Sequence, residues 1–396
     1  MFVRLRVLGV LLLGALGALR PGTPARGAAS RPAPAYVVTD LGTLPGGVQS
    51  FAAGINARGQ VVGYAYAADG HKHAFRTSAT GTLTTPGADL GTLPGSTDSA
   101  ADGINDRGQV VGDAVMPGGA TRAFRTTPGG ALDAAADLGV LPRAAGGSGA
   151  AGINARGQAV GAADLKGPAG NVLQHAFRVS ALGTLASTSG ADLGTLPGGS
   201  DSFATAINDR GQVAGTASTR LFDVRHAFRT TPGGALDAAA DLGVLPHSTG
   251  YSVATGINAR GQVVGFAYTA GDTTRTFRTS ATGTLATPGA DLGGLPHSPY
   301  SEARGINARG QVVGFAYAGT LEGPLRVRAF VYAAAARLRM RDLNTLIPTG
   351  SGIVLEEADG INDAGQIAAT GTIHGQRHAF RLTPVGLARP MATPTR

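Results

Sequence analysis

Apolar positions along this chain fall in short runs, each bounded by Gly, Pro, Asn or Asp. In one stretch, 50–56 is small and apolar, 60–66 is rich in Val and Tyr, 73–77 carries Ala and Phe, and 89–93 carries two leucines. Runs of this length between turn residues predict β-strands. Gly (63 residues) and Pro (22 residues) are too frequent for a helix of useful length. A single patch, 332–341, reads as a short helix. The whole pattern then recurs. Ile-Asn pairs end at Asn56, Asn105, Asn154, Asn208, Asn258, Asn307 and Asn362, spaced by 49, 49, 54, 50, 49 and 55 residues. A period near fifty residues is the mark of a repeat architecture.

Four short antiparallel strands per repeat match a propeller blade, so seven repeats predict an all-β, seven-bladed β-propeller over 36–382. An open solenoid is the competitor, and it would show atypical capping units. The chain ends separate the two. Asp40-Leu41-Gly42 near the start is a fourth-strand motif, whereas the last repeat stops after His378-Ala379-Phe380, a third-strand motif. Pairing these ends closes the ring and removes both exposed sheet edges. The Gly-Ile-Asn strand is then innermost, where small residues such as Ala52, Ala53 and Gly54 suit crowding at an axis. The seven repeated Asn residues are expected to open hairpin turns by local bonding, with Gly closing them. Phe75, Phe124, Phe177, Phe228, Phe277, Phe330 and Phe380 are expected between blades, each contributing about 1.5–3 kcal/mol.

The start of the chain changes the picture of where this protein works. Arg4 and Arg6 precede an apolar run, Val7 to Leu19, and then a stretch of Pro and small residues. That layout predicts a signal peptide over 1–29 and a linker over 30–35, hence a secreted or periplasmic protein. The apolar run is shorter than the roughly twenty residues a membrane span needs. Residues 383–396 read as a flexible tail, and no span is expected after removal of the signal. Cysteine is absent, so disulfides and thiolate chemistry are excluded. Losing Arg4, Arg6, Arg20 and Arg26 lowers the formal charge from +8 to +4. The remaining arginines are spread with the repeat and aromatics are few, so nucleic acid is not an expected partner, and a monomer is expected.

The tripeptides His73-Ala74-Phe75, His175-Ala176-Phe177, His226-Ala227-Phe228 and His378-Ala379-Phe380 follow Gly-Ile-Asn-x-x-Gly-Gln motifs, with Ala206 in place of the first Gly in the fourth repeat. Together they resemble the HAF-repeat family over about 36–382. That resemblance implies a bacterial, extracellular setting and carries over no catalytic residue. Three repeats depart from it with Arg122, Arg275 and Arg328 in place of His. Arg cannot ligate a metal, so the shared role is donation, for instance to a repeated aspartate such as Asp89.

Other chemistry is sparse. His71/His73 and His374/His378 lack the Glu of a zinc-protease motif, and no nucleophile elbow or phosphate loop occurs. Asp102/Asp106 and Asp359/Asp363 flank Ile where a calcium loop wants oxygen. No metal and no cofactor is expected. The informative segments are the variable loops on one face of the expected ring, since constant turns on the other face point to binding on the varied side. Loops leading into the innermost strands supply the candidate ligand-binding residues His247, Tyr251, His297, Tyr300, Glu302, Glu356 and Glu357, along with Asp98 and Asp201. A second set holds Asp69, Lys72, Asp164, Lys166, Arg220, Asp223, Arg225, Asp272, Glu322 and His374. Adjacent Glu356 and Glu357 would point opposite ways on a strand. The functional expectation is a recognition module for an extracellular carbohydrate, peptide or surface protein. An extracellular glycan hydrolase or lyase, and a structural exported repeat protein with no specific ligand, are the alternatives.

Overall fold

The computed structural model describes residues 35–219, 224–271, 273–318, 326–333 and 339–387. The expected signal at 1–29, most of the expected linker at 30–35, residues 388–396 of the expected tail, and Arg220, Asp223, Asp272 and Glu322 lie outside them. The described fold is all-β. Its strands form small antiparallel sheets, and its only helical elements are four three-residue 3₁₀ turns. One sheet, in order, is Ser50–Ile55, Val61–Tyr66, Lys72–Arg76 and Asp89–Gly91. The strand Tyr36–Asp40 pairs with Gln376–Pro384, placing Val38 opposite Leu382, so the first strand of the chain completes the last sheet.

Two expectations need correction. The patch at 332–341 is not a helix where it is described: Tyr332 lies in strand Arg326–Ala333 and pairs with Met340 of strand Arg339–Asp342. Tyr332 and Met340 are both buried, so pairing as strands covers both side chains. The fourth strand is also shorter than the sequence suggests. It spans three residues in the first two repeats, and at Asp192 and Asp241 it shrinks to single bridges with Phe177 and Phe228. The glycine of Asp-Leu-Gly ends it, adopting positive φ as at Gly91 (68°).

The turn between the first and second strands has both local and long-range causes. Asn56 Oδ1 accepts from the Arg58 and Gln60 N–H groups (3.1 and 3.0 Å), as the sequence reading requires. Its amide also does something the sequence reading missed. Asn56 Nδ2 donates to Gln60 Oε1 (2.8 Å) and to the Asn105 carbonyl in the next repeat (3.0 Å). The same inter-repeat bond runs from Asn105 to Asn154, then to Asn208, Asn258, Asn307 and Asn362. Asn362 Nδ2 then donates to the Asn56 carbonyl (2.9 Å), so the chain of bonds returns to its start.

The core lies between neighbouring sheets. All seven repeated phenylalanines are 0 % exposed. Phe75, for example, packs with Leu41, Leu44 and Leu83 of its own side and with Ala368 and Ala379 from the last repeat. A glycine in the second strand makes room for the ring: a Cβ at Gly112 would lie 2.8 Å from Phe124 Cζ. The other members of the tripeptide also have structural partners. His73, His175, His226, His378 and Arg275 bond the carboxylates of Asp89, Asp192, Asp241, Asp40 and Asp291, at 2.8–3.0 Å. The Ala74 N–H donates to Ser99 Oγ of the next repeat (2.8 Å). Arg76 beyond it reaches the carbonyls of Gly108, Gly129 and Gly130 (3.0, 2.6 and 3.0 Å). These contacts explain why the whole motif recurs without assigning it any chemistry.

Candidate functional site

Residues from all seven repeats line two cavities that meet at Ile55 and its equivalents. One, about 220 Å³, is walled by Ile-Asn and the residue after it, at the turn end. The other, about 230 Å³, is walled by the two residues before each Ile and lies toward the variable end. Its walls differ between repeats. In order they present Ala53, Asp102, Ala151, Thr205, Thr255, Arg304 and Asp359.

Farther out, each first strand pairs with its second strand at the same register. The facing pairs are Phe51–Tyr64, Ala100–Asp113, Gly149–Ala162, Phe203–Thr216, Val253–Phe266, Glu302–Phe315 and Glu357–Thr370. No two of these pairs are alike. Chemistry concentrates in the sixth, seventh and first repeats. Arg377 Nη2 bonds Glu356 Oε2 (2.6 Å) and lies 3.7 Å from Glu357 Oε1, with its guanidinium over the Phe51 ring at 5.3 Å. Its Nε is buried with no partner among the described residues. Phe51 stacks on Tyr64 at 4.7 Å, and Lys72 Nζ sits 5.2 Å above Tyr64. Arg304 lies over Phe315 at 5.0 Å and 3.7 Å from Glu302.

The acids of this region have shifted affinities. Asp102 and Asp359 both line the cavity, Asp359 half-buried and Asp102 exposed, so water reaches each of them. Desolvation pushes Asp359 up to about 8, with Glu357 adding to the rise and Arg304 opposing it. Desolvation also pushes Asp102 up to about 8, aided by the charge of Asp113. Cavity water tempers both shifts without reversing them. Burial raises Glu302 as well, Arg304 opposing and Glu357 assisting. Clustered, shifted carboxyls beside a cavity are the physical mark of a functional site.

The sequence candidates divide. Glu302, Glu356 and Glu357 come together here, but they sit on strands Tyr300–Ile306 and Ile353–Ile361, not in loops. The expected opposition of Glu356 and Glu357 is overturned. A bulge between Leu355 and Glu357 breaks the alternation, so one arginine meets both carboxylates. Tyr251 and Tyr300 are also strand residues, and each packs edge-on against a tyrosine of the next strand, Tyr268 (5.1 Å) and Tyr317 (6.0 Å). His247 and His297 do not join the cluster. They are exposed and take positive φ (63° and 60°) in turns where Gly46 and Gly95 stand in other repeats. Asp98 and Asp201 accept backbone N–H groups of Lys72 and Gln174, which is a structural use. Sequence reasoning missed Phe51, Tyr64, Phe315, Arg304 and Arg377, and it dismissed Asp102 and Asp359 as poor calcium ligands. Comparing the repeats position by position is the signal that finds most of them: Phe51 stands three residues before its Gly-Ile, and Asp102, Arg304 and Asp359 stand directly before theirs.

The comparisons with known proteins overturn one expectation. The family model that matches is a protein family of unknown function, DUF3466, over residues 246–383. It replaces the HAF-repeat resemblance, whose tripeptide is here accounted for by packing and bonding. No curated protein matches the chain. Among solved structures, the chain is similar to the BP39L lectin from Burkholderia pseudomallei at 12% identity and TM-score 0.41, covering 89% of this chain and 98% of that one. It is similar also to a triple arginine mutant of AofleA from Arthrobotrys oligospora at 12% identity and TM-score 0.30, covering 78% and 90%. A protein from Thermus thermophilus assigned as a glucose dehydrogenase matches at 12% identity and TM-score 0.30, covering 88% and 99%.

Proposed function

We propose that this chain is an exported, seven-bladed β-propeller that recognises an extracellular ligand at the varied mouth of its axial cavity, with carbohydrate as the ligand class. The returning chain of Asn bonds and the pairing of the first strand with the last support a closed ring. The layout of residues 1–29 supports export. One observation carries the functional reading: seven nearly identical frames hold seven different residue pairs at one register, with aromatic faces, carboxylates and guanidinium groups gathered on one side of the mouth. Constant scaffold with one varied rim is the usual layout of a binding surface. The apolar face of a sugar ring fits against Phe51 or Phe315, while Glu302, Glu357 and Arg377 suit its hydroxyls. Residues 34–396 applied to a glycan and peptide array should bind a saccharide, and Phe51→Ala with Glu357→Gln should abolish the signal. Binding only to peptides would reject carbohydrate, and silence at high protein concentration would leave the structural reading.

A glycan hydrolase or lyase is favoured by one specific feature. Desolvation raises Asp359 beside Glu357, which favours a proton donor next to a second carboxyl group. Release of reducing ends from an array-positive glycan, lost in Asp359→Asn, would establish that activity. Binding without turnover would reject it.

A further inference from the structure

Arg58, Arg107, Arg156, Arg210, Arg260 and Arg309 hold the same place in the turns after the first strands, and all six are exposed. In the sequence they lie about one repeat apart and look dispersed. The structure gathers them. The residues just before each one line a single cavity of about 220 Å³, and the Asn bonds tie neighbouring turns together. Six guanidinium groups therefore surround one mouth. Only their backbone N–H groups are engaged among the described residues, each bonding the turn's own Asn side chain.

Acids on the same turns are fewer. Asp106, Asp209 and Asp363 each commit one oxygen to a neighbouring turn's N–H, on Ala57, Ala155 and Ala308 at 2.7–2.8 Å. A second set of arginines reinforces the positive sign: Arg76, Arg125 and Arg229 donate to carbonyls of the adjoining turns and stay charged there. This face is thus cationic, whereas the opposite mouth carries the carboxyl cluster. It also has apolar side chains in water. Leu182 is 98 % exposed in the linker whose Ser180 and Gly183 carbonyls bind Arg125, and Val385 is 48 % exposed next to Pro384, which abuts the last turn at Gly365.

We infer that this turn face docks on an anionic lipid bilayer, with the arginines binding headgroup phosphates. Guanidinium groups pair with phosphate oxygens in bidentate fashion, so arginine suits this role better than lysine. The six stand around a mouth and not along a line, which matches a two-dimensional field of phosphates better than a single linear polyanion. Exposed Leu182 and Val385 on a basic face suit the boundary between headgroups and acyl chains. In this orientation the varied mouth points away from the membrane. The inference does not depend on what that mouth binds.

The test uses residues 34–396, the compact unit that holds every described strand. The chain should sediment with vesicles of phosphatidylcholine and phosphatidylglycerol, not with phosphatidylcholine alone, and high salt should release it. Arg58→Gln, Arg156→Gln and Arg260→Gln combined should weaken partitioning by about a hundredfold, at about fivefold for each arginine near the surface. Arg304→Gln at the other mouth should leave partitioning unchanged. Circular dichroism and the melting temperature, equal in all variants, exclude unfolding as the cause. Three results would overturn the inference: no sedimentation with anionic vesicles, equal loss in the Arg304 variant, or retention on an acidic polysaccharide matrix without vesicle binding.

Discussion

The turn end and the varied mouth are made by the same strands, one at each end. At the turn end each repeat makes the same Asn bond to its neighbour, and the bonding groups are buried. At the mouth no two repeats present the same facing pair, and the side chains there are charged, aromatic and partly open to water. The difference teaches where each part of the sequence is constrained. Positions that join one sheet to the next have few chemical solutions and recur. Positions at the mouth carry no bond shared by every repeat and can specialise.

The largest expected contrast is between two phenylalanines. Phe228 is 0 % exposed between sheets, so Phe228→Ala should cost about 3–5 kcal/mol in a denaturant titration. Phe51 at the mouth is only partly buried, so Phe51→Ala should cost about 1 kcal/mol. Equal losses would erase the distinction between frame and rim. A smaller contrast separates polar groups. Asn208→Ala removes the acceptor used by the Arg210 and Gln212 N–H groups and takes one of two donors from the buried Asn258 carbonyl, which keeps the Gly261 N–H, at a cost of about 1–3 kcal/mol. Glu302→Gln at the mouth should stay within about 0.5 kcal/mol.

The subtlest contrast is in pH. Asp102 and Asp359 have folded pKa values raised from 3.8 to about 8, so the folded state holds more protons than the unfolded state between those limits. Their contribution is therefore fully present below about pH 4 and is lost as the pH rises toward about 8. The outer Asp192 and Asp241 behave oppositely. Burial raises them, but hydrogen bonds from His175 and His226 and from backbone N–H groups outweigh it, and the net pKa is lowered. Their stabilisation holds above the usual aspartate range and fades in acid. Urea midpoints at pH 5 and pH 8 should differ less in Asp359→Asn than in the parent chain. An unchanged or steeper difference would mean that Asp359 ionises normally.

Much of the fold was legible because its causes are local and repeated. Alternating Val-Val-Gly runs, Asn-x-Arg-Gly turns and the pairing of Asp40 with the final strand all follow from short-range rules and the position of the chain ends. The link from Asn56 to Asn105 was not legible, because an amide bonding a carbonyl one repeat away leaves no trace distinct from its turn role. The helix expected at 332–341 failed where Tyr332 and Met340 found each other across strands. At the site, Glu302, Glu356 and Glu357 stood out as rare acids, but the bulge that turns Glu356 and Glu357 onto Arg377 is a property of register. The exposed arginines looked dispersed because sequence distance hides what a repeat architecture gathers.

The most direct test of the central claim sets rim against frame in one binding assay. A saccharide found on the array should be titrated against the parent chain and two variants, one with Phe51→Ala, Tyr64→Ala and Glu357→Gln, the other with Arg58→Gln, Arg156→Gln and Arg260→Gln. Heat of binding is expected for the parent and the turn-face variant and none for the rim variant, with all three equally folded. Undiminished binding by the rim variant would contradict that claim.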